Sequence, residues 1–255
     1  MIPIAKLVIK ESFRKKIYHF LIIFSLLILF VLYSYSPFGV KQQTKTALDF
    51  SLSILPLLGL FVTLFTCTTL ITEDINSKRI YLILSKPISR FSYLCGKLLG
   101  AYLSIFLVYF IIGLIIFGFV YFSGMKQFFS LTKIFWAIFF SFFEMMLMAN
   151  FIVCLAFFLP QGTAISLSIF GYLFFHIKSN FLKYALLSNP DSVKTFIWKI
   201  FYYIIPDFEY FNLRDQAVHN FVLKNSQIYM PLLYGTATLF LFLTIASIFL
   251  YRKEL

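Results

Sequence analysis

The sequence predicts an all-α, polytopic membrane protein with six transmembrane helices. It also predicts an amphipathic interfacial helix at the N-terminus and a short cytoplasmic helix between the second and third spans. Three observations predict this class. Hydrophobic residues make up 61% of the 255 residues and charged residues only 13%, with 36 Phe. Mean hydropathy is +0.90. Apolar runs recur at about the 20 residues that a helix needs to cross a hydrocarbon core of roughly 30 Å. A soluble chain has roughly 45–50% apolar and about 25% charged residues, and a fold of this size cannot hide so much more apolar surface from water. A soluble enzyme, a DNA-binding domain and a disulfide-stapled secreted module are excluded.

The expected spans run in order. The first covers 17–36, without a charge but for its flank, and the second 48–72. The third covers 98–122 and the fourth 134–159. Pro160-Gln161-Gly162 then stops the helical pattern. The fifth, 163–177, is the shortest, and beyond it the chain meets Lys178 and Asn180. The sixth covers 230–251, and 178–229 is expected to be an extracytoplasmic segment. Residues 1–255 form one transmembrane domain.

Lys and Arg in short loops set the orientation. Lys6, Lys10, Arg14, Lys15 and Lys16 precede the first span. Lys78, Arg79, Lys86, Arg90 and Lys97 lie between the second and third, and Arg252 and Lys253 end the chain. The opposite short loops hold only Lys41, Lys45, Lys126 and Lys133. Twelve against four puts both termini in the cytoplasm, with the chain multi-pass in the cytoplasmic membrane. The net charge of +12 is then a membrane-topology signal, and no nucleic-acid partner is expected. A cleavable signal peptide is disfavoured by the long basic region and the poor cleavage site at Ser34-Tyr35-Ser36.

Residues 1–16 read as a short helix with Lys6, Lys10 and Arg14 on one stripe and Ala5, Ile9 and Phe13 on the next. Such a helix lies in the headgroup plane or serves as a basic anchor. In the loop 72–97, Thr72 is a plausible N-cap, with Glu73 and Asp74 in the first turn. Asp74 and Lys78 have i, i+4 spacing. Pro87 ends this helix near Ser85-Lys86, and Ser89 can cap the third span. The apolar run Ile80-Tyr81-Leu82-Ile83-Leu84 either folds back on the bundle or inserts into a partner.

The stretch ITEDINSKRIYLILSKPISRFSYLCGKLLG resembles the cytoplasmic signature of ABC-transporter permeases of the second, exporter-like class. It is most similar to permeases of nitrous-oxide-reductase, or multicopper-enzyme, maturation. The matching residues are Glu73, the turn Leu84-Ser85-Lys86-Pro87-Ile88-Ser89-Arg90, and Gly96-Lys97. The segment YYIIPDFEYFNLRD and the ending Tyr251-Arg252-Lys253-Glu254 also resemble family features. Asn76-Ser77 stands where the family commonly has Gly. The resemblance implies a permease subunit, two copies of which form a pathway in the bilayer. It implies separate ATP-binding subunits that carry the ATP and dock on Glu73, Asp74, Lys78, Arg79, Tyr81, Lys86, Pro87 and Arg90. It implies export as the direction. Pro206, Asp207 and Arg214 are expected in an outer lid, or in an ordinary surface helix and loop.

No HExxH, GxSxG or Walker A pattern occurs. His19, His176 and His219 are far apart, and Cys67, Cys95 and Cys154 form no pair, so neither a metal site nor a bound cofactor is expected. Met145, Met146 and Met148 read as packing residues. Glu144 is the one acid deep inside an expected span. Such a carboxylate is costly and often functional; it either pairs with a neighbour such as Asn150 or handles substrate or protons. Asp49 is expected at the outer interface, and Gly96-x-x-x-Gly100 permits close helix approach. Two other functions compete with transport. An intramembrane enzyme would need Glu144 beside a histidine or second acid at the same depth, and the sequence displays no such pair. A non-transporting anchor or assembly factor that recruits an ATPase would share the cytoplasmic loop.

Overall fold

A computed structural model describes residues 2–14, 23, 27, 40–77, 89–122, 129–188 and 205–252. The described residues are helical, with no strand among them. The helices are α1 Ile2–Arg14, α2 Val40–Asn76, α3 Arg90–Phe122, α4 Leu131–Ala156, α5 Gln161–Ser188, α6 Arg214–Val218 and α7 Ser226–Arg252. A 3-10 turn covers Phe208–Phe211. Helices are what an apolar environment demands, since each satisfies its own backbone N–H and C=O groups.

Four helices are long and apolar enough to cross a membrane: Thr44–Asp74, Arg90–Phe122, Leu131–Ala156 and Ser226–Tyr251. Six expected spans thus become four among the described residues. The first, 17–36, lies outside them but for residues 23 and 27. The fifth does form a helix, α5, which at 28 residues runs well past 177. Gln161, His176 and Lys178 lower its hydropathy, although Leu167, Phe170, Phe174 and Ile177 make one exposed apolar stripe on it.

The break at Pro160 appears as expected. Helix α4 ends at Ala156 and α5 starts at Gln161, so the two form a hairpin. Ser89 caps α3, its Oγ accepting from the Ser92 N–H at 3.1 Å. Thr72 differs from expectation. It lies inside α2, and its hydroxyl donates to the Thr68 carbonyl at 2.6 Å. The second span therefore continues through Glu73 and Asp74 without a new helix start. Most of the expected cytoplasmic helix, 78–88, lies outside the described residues.

Helix α4 is the centre of the bundle and packs on α2, α3, α5 and α7. Phe140, Met145, Leu147 and Met148 are fully buried on it, so two of the three clustered methionines are core. Helix α2 carries many hydroxyls into this core. Ser51, Thr63, Thr66 and Thr68 are buried, and each donates to the carbonyl four residues back at 2.5–2.7 Å. That local bond removes the cost of an unsatisfied hydroxyl.

Two glycines let helices touch. A Cβ on Gly100 of α3 would lie 2.6 Å from Val8 Cβ and 2.9 Å from the Ala5 carbonyl oxygen of α1. A Cβ on Gly235 of α7 would collide with the Phe143 ring of α4. The contact at Gly100 turns Ala5, Val8 and Ser12 of α1 inward. The buried stripe thus steps through Val8 and Ser12, while Ile9 is only half-buried and Lys6, Lys10 and Arg14 face out. The reason is that α1 packs on the backbone of α3 at Gly100.

Replacing Gly100 by Val should push α1 off α3, because a side chain there cannot coexist with the Val8 contact. The expected outcome is faster proteolytic loss of the first 14 residues in detergent, with the rest of the chain intact. Unchanged protection would show that the contact is dispensable.

Candidate functional site

Polar groups concentrate at two levels of the bundle. The first is the end where α2 finishes and α3 begins. Asp74 and Lys97 form an ion pair at 2.7 Å, with side chains only 5% and 4% exposed. The Tyr93 hydroxyl donates to the same carboxylate oxygen, Asp74 Oδ2, at 2.6 Å. The Lys97 ammonium also donates to the Leu70 carbonyl at 3.4 Å. Lys78, the expected i+4 partner, lies outside the described residues. The carboxylate finds Lys97 because α3 begins at Arg90, well before its apolar run, and so brings Tyr93 and Lys97 beside the last turn of α2.

The expected docking residues therefore separate. Glu73 is exposed, one position before the buried Asp74. Arg90 donates from Nη1 to the Leu250 and Tyr251 carbonyls at 3.1 and 3.2 Å, and its guanidinium lies 5.9 Å from the Tyr251 ring centre. It thus closes the C-terminal end of α7, where a cation suits the helix dipole. Lys78, Arg79, Tyr81, Lys86 and Pro87 lie outside the described residues.

The second level is a cavity of about 290 Å³ between α2, α4, α5 and the connector that leads to α7. Glu144 of α4 projects into it and is 2% exposed. Its Oε1 lies 2.8 Å from His176 Nε2 of α5. The other ring nitrogen, Nδ1, lies 3.8 Å from Glu209 Oε2 in the 3-10 turn. Tyr172, one turn before His176, packs edge-on to the imidazole at 4.7 Å and lines the cavity with Ser141, Leu52, Pro56 and Phe211. The Ser141 hydroxyl is bonded to the Tyr109 hydroxyl at 3.1 Å.

Glu144 is thus not paired with Asn150, the neighbour suggested by sequence. Asn150 lies six positions on, so it points elsewhere around α4 and donates to the Tyr102 hydroxyl at 2.6 Å and the Met146 carbonyl at 3.0 Å. Its Oδ1 is buried without a hydrogen-bond partner among the described residues.

The connector closes the cavity at the end opposite Asp74. Arg214 holds Asp49 of α2 bidentately, with Nε–Oδ1 at 2.6 Å and Nη2–Oδ2 at 3.1 Å. The hydrogen bonding of the guanidinium to the Asp49 carboxylate raises its pKa above the ordinary value. Asp207 caps the 3-10 turn by accepting from the Glu209 N–H at 3.1 Å, and its own N–H donates to the Tyr234 hydroxyl at 2.9 Å. Pro206 precedes it and is half-buried. Of the three residues expected in an outer lid, Arg214 contacts the cavity, while Pro206 and Asp207 position the turn.

Reasoning from sequence singled out Glu144 and left out His176, Tyr172, Ser141 and Glu209 as its companions. One signal was present. Glu144 and His176 each lie sixteen residues from Pro160, so an antiparallel hairpin turning at Pro160 puts them at one depth. Among the described residues, no group of three or more His, Cys, Asp or Glu side chains is arranged to hold a metal ion.

A model of the family described as ABC-2 family transporter protein matches residues 2–251. No curated protein matches the chain.

Two predictions follow from this geometry. Replacing Lys97 by Met leaves Asp74 buried and unmatched, a loss of about 3–5 kcal/mol; adding Asp74→Asn should recover much of it, read as thermal unfolding in detergent. Replacing Arg214 by Asp, or Asp49 by Arg, should speed hydrogen exchange in residues 207–218, at a stability cost of no more than about 1 kcal/mol for so accessible a pair. Exchange should slow again in the double swap. A swap no better than the single variants would show that the bridge does not hold the connector.

Proposed function

The chain belongs to the ABC-2 family of transporter proteins, and from that membership we propose that it is the membrane-spanning permease of an ATP-driven exporter. The observation that carries the reading is the length of the match, which runs from residue 2 to 251 and so takes in the whole bundle. The energy comes from separate ATP-binding subunits, since the sequence has no nucleotide-binding motif of its own. Two copies of the permease form the pathway in the cytoplasmic membrane, with both termini in the cytoplasm. The subclass is that of multicopper-enzyme maturation permeases, on the strength of the turn Leu84 to Arg90.

In this reading the ATP-binding subunit grips residues 73–90. Glu73 is the described residue best placed for it, being exposed in the last turn of α2. Asp74 and Arg90 act behind it. The Asp74–Lys97 pair couples α2 to α3, and Arg90 couples α3 to the end of α7. A pull on 73–90 therefore reaches three membrane helices at once. Nucleotide shifts the bundle between states only if the ATP-bound partner holds one state more tightly than the other.

The Glu144–His176 pair is the arrangement asked of an intramembrane enzyme, yet its geometry favours transport. Both imidazole nitrogens face carboxylates, so neither is turned toward a nucleophile whose proton it could take. The cavity hydroxyls are engaged too: Ser53 donates to the Asp49 carbonyl and Ser141 bonds with Tyr109.

The test is ATP-dependent movement of a solute into inside-out vesicles that contain the chain and its ATP-binding subunit. Glu73→Lys should cut co-purification of that subunit and its ATP hydrolysis severalfold, with membrane insertion unchanged. Normal binding and hydrolysis in this variant would overturn the interface. A chain that recruits the ATPase but moves nothing would be an anchor or assembly factor.

A further inference from the structure

Helix α1 turns opposite faces to opposite surroundings. Ala5, Val8 and Ser12 are buried against the bundle. At 3.6 residues per turn, Lys6, Lys10 and Arg14 fall on the far side of the helix from that stripe, and all three are exposed. Glu11, the one acid of α1, lies off the basic stripe and borders the recess that holds Ser12, Thr69 and Lys97. Elsewhere in the fold the protein supplies acceptors for its cations. Asp74 holds Lys97, Asp49 holds Arg214, Asn220 holds Lys133, and the end of α7 holds Arg90. Among the described residues nothing comparable engages Lys6, Lys10 or Arg14.

The position of α1 selects the partner. Val8 sits on Gly100 and Ser12 shares a recess with Lys97, so α1 lies where α3 passes into its apolar run. Phe91 and Tyr251 stand nearer the end of the bundle, on either side of Arg90, and are 42% and 61% exposed. Exposed aromatic side chains of this kind mark the headgroup level. A stripe on the apolar side of them borders lipid rather than open water. Leu7, 51% exposed, flanks the cations and suits that setting. Lys and Arg stems lie along apolar surface and carry their charges out to the phosphates. A zwitterionic lipid brings its own cation to the phosphate, whereas an anionic lipid leaves the charge for the protein to match.

We propose that the outer face of α1 is a docking surface for anionic phospholipid, with Lys6, Lys10 and Arg14 on the headgroups and Leu7 among the acyl chains. The inference goes beyond the permease reading and involves no ATP-binding subunit. It requires only that the chain is a membrane bundle.

The experiment uses the full chain in a neutral detergent and follows thermal unfolding as lipid is added. Dioctanoyl phosphatidylglycerol is compared with dioctanoyl phosphatidylcholine, so that only the headgroup differs. The anionic lipid should protect at a concentration at least about tenfold lower, and high salt should narrow the gap. The triple variant Lys6→Gln, Lys10→Gln, Arg14→Gln should lose the preference, while the triple change to Arg, Arg and Lys should keep it. Lys224→Gln, an exposed cation at the other end of the bundle, should keep it too. Equal protection by the two lipids overturns the proposal, as does an unchanged preference in the folded glutamine variant. Glycerol phosphate protecting as well as the lipid would make the stripe a site for free anions, and polyglutamate doing so would make it a protein-docking face; either overturns the lipid assignment. Should the triple glutamine variant fail to fold, Lys10→Gln decides: a preference cut severalfold supports the proposal and an unchanged one overturns it. Because no nucleotide is present, this result stands apart from any loss of coupling to an ATP-binding subunit.

Discussion

A carboxylate in the middle of an apolar bundle has to be matched, and that constraint organises the space around Glu144. Burial of an unpaired charge costs several kcal/mol or forces its neutralisation. Here the match comes from another helix: His176 of α5 stands against Glu144 of α4. The pair fixes the rotation of the two helices about the Pro160 hairpin, and it turns Tyr172 and Ser141 into the same space. The 3-10 turn is drawn in through Glu209, and the connector through Arg214 on Asp49. The cavity is what remains when polar groups from four elements converge on one point and the apolar residues between them cannot follow.

The same logic repeats at the other end of the bundle with a different outcome. Asp74 and Lys97 are buried as deeply as Glu144, and Tyr93 completes their bonding. The small polar recess beside them, bordered by Glu11, Ser12 and Thr69, has no room for a ligand of any size. One level is built as a joint between helices and the other as a chamber. Helix packing makes the first level a contact between α2 and α3, and the second a space shared by α2, α4, α5 and the connector. Helix α2 links the two, carrying Asp49 near its start and Asp74 near its end.

Much of the architecture was legible in sequence. Apolar runs located α2, α3, α4 and α7, and Pro160 located the break before α5. Ser89 was legible as a cap because capping is a local bond between a hydroxyl and an N–H three residues on. Thr72 was misread for the same reason in reverse. A threonine caps a helix or bonds back to the carbonyl four residues earlier, and only the packing of α2 against α3 and α4 selects the second. The pairing of Asp74 with Lys97 was illegible too, because i+4 spacing is visible in a chain and a contact between two helices is not.

The sequence by itself determined that this is a membrane bundle, where most helices lie, and that Glu144 is an anomaly in need of an explanation. Hydropathy and period suffice for that, since they reflect the solvent each residue meets. Only the tertiary structure decided which polar groups meet: His176 with Glu144, Arg214 with Asp49, Lys97 with Asp74. Those choices depend on helix rotation and on close approaches such as those at Gly100 and Gly235. Rotation and approach are set by the packing of all the helices together, which no single segment encodes.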